Sequence, residues 1–174
     1  MKKFMIVMLI ALSLTFLAGC SGDGTADDTK NNDDTGGDPQ IESYGFEYED
    51  VDIYVNMDAE SLMEKLGEEQ SYFEAPSCAF EGIDKIYSYG SFEIHTYPVE
   101  DKDYVSAIIL IDDSVQTKEG VYIGDPKNKV IETYGEDYND ANGAVAYEKG
   151  DGKLQFIFQN DAVAAIEYIA TESK

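Results

Sequence analysis

Residues 121–137 read VYIGDPKNKVIETYGED, and residues 53–69 read IYVNMDAESLMEKLGEE; the two stretches align without a gap. Tyr54/Tyr122, Glu64/Glu132, Gly67/Gly135 and Glu68/Glu136 are identical across the pair. The apolar positions carry more weight. Leu62, Met63 and Leu66 coincide with Val130, Ile131 and Tyr134, an i, i+1, i+4 set that lines one face of a helix. Each stretch opens on a β-prone run, Ile53-Tyr54-Val55 or Val121-Tyr122-Ile123. Asp58 can cap the first helix, and Asp125 followed by Pro126 favours a start for the second. Gly67 and Gly135 then supply the stops.

The correspondence resumes downstream. YVSAIILI at 104–111 lies over AVAAIEYI at 162–169, sharing Val105/Val163, Ala107/Ala165, Ile108/Ile166 and Ile111/Ile169. Between the anchors SYFEA, DKIYSYG and SFEIHTY read as strands in the first half, and AVAYEKG and KLQFIFQ in the second. Gly150-Asp151-Gly152, Asn160-Asp161 and the longer segment 99–103 read as hairpin turns. One helix and about three strands would leave an apolar sheet face open, and pairing two such units would cover it. The expected fold is therefore α+β: two tandem helix-plus-three-strand repeats, over about 51–112 and 119–170, with the helices packed on an antiparallel sheet.

The phrase YIGDPKNKVIETYGED resembles the signature of small envelope lipoproteins of the SmpA/OmlA type, through Ile123, Gly124, Val130, Tyr134 and Gly135. A duplicated unit of this kind is similar to the β-lactamase inhibitory protein fold. The first repeat departs from the signature at Asn56, where the pattern wants glycine, and Asp137 stands where a proline is common. The resemblance implies a fold and protein–protein contacts. It implies no catalytic residues.

The chain opens MKKFMIVMLIALSLTFLAGC. Lys2 and Lys3 form a basic n-region, and residues 4–16 form an apolar run too short to span a bilayer comfortably. Leu17-Ala18-Gly19-Cys20 resembles the lipobox of bacterial lipoproteins. That resemblance implies a signal peptide over 1–19, cleavage before Cys20, and a fatty-acylated Cys20 as membrane anchor. Residues 20–39 hold no large apolar side chain and many Asp, Asn and Gly, as an acidic tether would. Residues 40–174 form the single globular domain, long enough for one core. With Cys20 acylated, Cys78 has no partner for a disulfide.

The formal charge is −24, with 36 acidic residues and no arginine, and removal of the signal deepens it. Such a chain is repelled by nucleic acid and lacks a guanidinium fork for phosphates, which excludes nucleic acid as a partner. The single histidine, His95, follows Phe92 and Ile94 by strand alternation onto the opposite, outer face. Cys78, between Ser77 and Ala79-Phe80, reads as a small buried hydrophobe. No cofactor, metal site or catalytic residue is expected. The segment Asp140-Ala141-Asn142-Gly143 has a calcium-loop flavour, but Lys149 stands where the bidentate glutamate would be needed, and a hairpin entry explains it better.

Thirteen tyrosines and no tryptophan are the distinctive feature. Tyr87, Tyr89, Tyr97 and Tyr147, if they share the face opposite the helices, would make an aromatic, hydrogen-bonding surface for a partner. The sequence thus points to a non-enzymatic lipoprotein anchored through Cys20 on the extracytoplasmic face of the cell membrane, with a Gram-positive host favoured. Its expected work is binding another envelope protein, with a cell-wall glycan or small solute as the alternative ligand.

Overall fold

The computed structural model describes residues 43–171. The lipobox, Cys20 and the tether lie outside them. The first element is a hairpin, β1 (Gly45–Tyr48) and β2 (Val51–Tyr54), turned by Glu49 and Asp50, both at positive φ. That conformation suits the right-handed twist of a two-residue hairpin. Helix α1 (Ala59–Leu66) follows, then β3 (Ser71–Pro76), β4 (Ile83–Ser88), β5 (Phe92–Val99) and β6 (Lys102–Leu110). Helix α2 (Lys127–Tyr134) precedes β7 (Asn139–Ala141), β8 (Ala144–Lys149), β9 (Gly152–Gln159) and β10 (Ala162–Ala170).

The long strands form one antiparallel, eight-stranded sheet in the order β3-β4-β5-β6-β10-β9-β8-β7. Its middle is the β6–β10 pair, where Ile166 faces Leu110 and Tyr168 faces Ile108. These four are buried, as are Phe92, Ile94, Leu154, Phe156 and Val145, so one sheet face makes the core floor. Phe46, Ile53 and Val55 of the hairpin region, Leu62 of α1, Val121 ahead of α2 and Val130 of α2 close it from above.

This corrects the expected α+β architecture of two helix-plus-three-strand repeats with helices as the covering layer. The chain is mostly β: among the described residues it has two helices of eight residues each, an eight-stranded antiparallel sheet and a separate two-stranded hairpin. Each helix is barely two turns long, and only Ala59 and Leu62 of α1, and Val130 of α2, are buried. So short a helix cannot roof half a sheet, and β1–β2 supplies much of the cover.

The helix ends follow local chemistry. The Asp58 carboxylate accepts from the Ser61 N–H at 3.2 Å and from the Lys102 ammonium at 2.7 Å; these bonds, led by the lysine's, hold its pKa below the usual carboxylate value. Helix α2 is built differently. Pro126 itself stands at the cap, while Asp125 turns back to accept from the Tyr122 N–H and the Lys129 ammonium, both at 2.7 Å. Burial alone would raise the Asp125 pKa, but those two bonds outweigh it and the net shift is downward. Gly67 and Gly135, both at positive φ, end the helices by donating their N–H groups to Met63 and Ile131.

Asn56 explains its own departure from the glycine of the motif. Its φ is +63°, and Gly124, the aligned residue, has φ +93°. Asparagine is among the few side chains that tolerate this region. Here its side chain also donates to Asp151 at 2.9 Å and accepts from the Tyr97 hydroxyl at 2.7 Å.

Candidate functional site

Tyr87, Tyr89, Tyr97 and Tyr147 do not share an exposed face. Tyr89 and Tyr147 are buried. Their hydroxyls donate to the backbone carbonyls of Gly67 and Gly135, at 3.4 and 2.9 Å, so each ties the sheet to the end of a helix. Tyr89 also reaches the Met63 sulfur. Burial pushes both phenols up to about 12. Tyr97 is buried and its hydroxyl donates to Asn56, and Tyr87 is half-buried against Tyr72, with ring centroids 5.2 Å apart. Three of the four are core or lining groups.

The exposed aromatic surface lies elsewhere, on the β3–β4 hairpin. Among the described residues the exposed large hydrophobics are Phe73 at 61%, Ile111 at 47%, Tyr72 at 44%, Ile83 at 43% and Phe80 at 37%. Four of the five belong to this one hairpin. The register sets Phe73 beside Ile86, Ile86 beside His95, and Ala75 beside Asp84. This row lies on the sheet face away from the helices, since its neighbours along the strands, Tyr87 and Ile94, pair on the other face.

The segment 77–82 builds a wall over that row. The Ser77 hydroxyl accepts from the N–H groups of Ala79 and Phe80, a serine turn that curls the loop. The Ser77 N–H donates to the Gly82 carbonyl at 3.0 Å. Gly82 has φ +136°, and an added Cβ there would meet the Pro98 ring at 2.8 Å, so the loop is pressed onto the sheet where only glycine fits. Phe80 reaches back to Tyr97, centroids 5.1 Å apart. Between this wall and the strands lies a cleft of about 310 Å³, lined by Phe73, Ala75, Phe80, Ile86, His95 and Tyr97 among others.

The cleft is mostly apolar. Asp84 lines it, and its Oδ1 is buried without a hydrogen-bond partner among the described residues. Lys85 is committed to Asp103 at 2.6 Å, and His95 faces the Glu93 carboxylate at 3.3 Å. Cys78, expected to be buried, is exposed because it rides on the wall loop rather than in a strand.

A second cleft of about 460 Å³ lies between α1 and the strands, lined by Asp58, Met63, Lys85, Tyr87, Lys102 and Asp103 among others. Its charges already pair with one another, Lys85 with Asp103 and Lys102 with Asp58, which leaves less for a ligand to satisfy. Among the described residues no cluster of three or more His, Cys, Asp or Glu is placed to hold a metal ion, and no helix is long and apolar enough to cross a membrane.

No family model matches the chain, and no curated protein matches it. A solved structure of an extracellular protein containing an SCP domain, from Bacillus anthracis str. Ames, is similar at a TM-score of 0.47 and 15% identity, over 67% of this chain. The chain spans 44% of that protein's length.

Proposed function

We propose that this chain is a lipid-anchored, extracytoplasmic lipoprotein whose globular domain docks another envelope protein at the cleft between the 77–82 loop and strands β3–β6. The lipobox Leu17-Ala18-Gly19-Cys20 supports the anchor. One observation carries the docking reading: among the described residues, four of the five exposed large hydrophobics gather on one hairpin, and two of them, Phe73 and Phe80, line an apolar cleft. Clustered aromatic exposure marks interaction sites, whereas scattered apolar residues do not. The partner that fits is a protein presenting apolar side chains and cations, because the chain itself carries a net charge of −24.

A pull-down tests this. The full chain and its Phe73→Asp variant, each immobilised, are exposed to solubilised envelope from the organism that encodes the chain, and retained proteins are quantified by mass spectrometry. Phe73 is 61% exposed, so the variant should melt as the wild type does. A specific partner should fall by about 30-fold or more, the loss typical of an aromatic anchor. A retained set identical for the two chains contradicts the docking reading. Retention of small amphipathic or glycan material in place of protein moves the cleft to the solute alternative.

A further inference from the structure

We infer that the partner engages this site by strand addition, laying an extended segment that alternates cationic and apolar side chains along the free edge of β3. The inference rests on the docking reading and specifies its mode.

Strand β3 is the last strand at one end of the eight-stranded sheet, so among the described residues no strand pairs with its outer edge. An edge strand offers a row of unpaired N–H and C=O groups, and proteins blunt such edges with shortness, lysine or covering segments. The opposite edge is blunted: β7 has three residues, Asn139, Asp140 and Ala141, all exposed. Strand β3 has six residues, SYFEAP, no lysine, and two large aromatics more than two-fifths exposed. Pro76, without an N–H, marks where pairing stops.

The side chains state what an added strand would carry. Alternate residues of the newcomer would lie beside Phe73 and Ala75 on the cleft face and beside Tyr72 and Glu74 on the other. The cleft takes apolar side chains. On the other face Glu74 is exposed, and Glu68 and Glu69 stand just before the strand. A segment with lysines on that face and apolar side chains on the cleft face matches both. A second copy of this chain does not, because two surfaces drawn from a protein of net charge −24 repel.

Fluorescence anisotropy with the full chain in detergent tests the mode. The probes are labelled peptides of about ten residues. One alternates lysine and valine, a second replaces each lysine by glutamate, and two more N-methylate alternate backbone nitrogens of the lysine peptide in the two possible registers. The lysine peptide should bind, and the glutamate peptide should bind more weakly by about ten-fold or more. One N-methyl register should lose about ten-fold while the other is retained, because an added strand turns only alternate N–H groups toward β3. Equal binding by both N-methyl registers overturns strand addition. So does binding by none of the peptides; if Phe73→Asp still strips a partner from the pull-down, the docking reading survives that failure, and if it does not, both fall.

Discussion

Phe92→Ala should lower stability by about 3–5 kcal/mol, the cost of truncating a fully buried phenylalanine. Phe92 is 0% exposed and is the aromatic hub of the fold. Its ring centroid lies 5.0 Å from Phe46 and 4.8 Å from Tyr48, both on β1, and 5.1 Å from Tyr89, against which it stacks at 11°. It therefore fastens the β1–β2 hairpin to the sheet, and the aromatic pairs add to the area it buries. The melting temperature should fall on the order of 10–20 °C for a domain of this size. Ile109, paired beside Glu167 on the open face and half-buried, is the matched control, and its alanine variant should melt within a few degrees of wild type. Similar losses at both positions would mean that the sheet is buried on both faces, contrary to the one-sided core described here.

Cys20→Ser should abolish acylation almost completely. Each buried methylene of a fatty chain contributes about 0.8 kcal/mol to membrane binding, so two chains hold a protein where one holds it only marginally. The chain has two cysteines. Growth with a clickable fatty acid, followed by fluorophore coupling, should label the wild type and the Cys78→Ser variant equally and leave Cys20→Ser dark. Intact mass spectrometry of the wild type should give a chain that begins at an acylated Cys20. Undiminished label on Cys20→Ser, or a mature chain that retains residues 1–19, would remove the anchor from the account.

Several local elements were legible in the residues themselves. Asn160 and Asp161 both adopt positive φ in the β9–β10 turn, as Asn142 and Gly143 do between β7 and β8, because these residue types tolerate the left-handed region that tight hairpins require. Gly67 and Gly135 ended the helices for the same reason. What the pattern could not give was the balance of layers. A shared apolar set at 62, 63, 66 and 130, 131, 134 announces a helix but not that it buries so little, and the hairpin GFEY–VDIY is hidden in the pattern because its second strand doubles as the opening of the repeat.

The candidate site is hard to read from the sequence for a related reason. Tyrosines on alternating strands read as outward, but a tyrosine can be buried whenever its hydroxyl finds a carbonyl, and Gly67 and Gly135 supply carbonyls at the helix ends. The residues that are exposed, Phe73 and Phe80, belong to a type that ordinarily goes inside. One signal was present: adjacent aromatics on a strand, Tyr72-Phe73, must point to opposite faces, so a one-sided sheet leaves at least one of them out. Here both lie at the edge, and both are exposed.

The proposed docking surface is tested most directly by placing a photo-crosslinking amino acid, in turn, at Phe73 beside the cleft, at Ile157 on the open face of the other half of the sheet, and at Asn139 on the opposite edge. Each chain is expressed in the source organism and irradiated, and the protein adducts are identified by mass spectrometry. The account predicts a discrete protein adduct from position 73 that positions 139 and 157 do not give. The same adduct from all three positions, or one from position 157 or 139 alone, would contradict it.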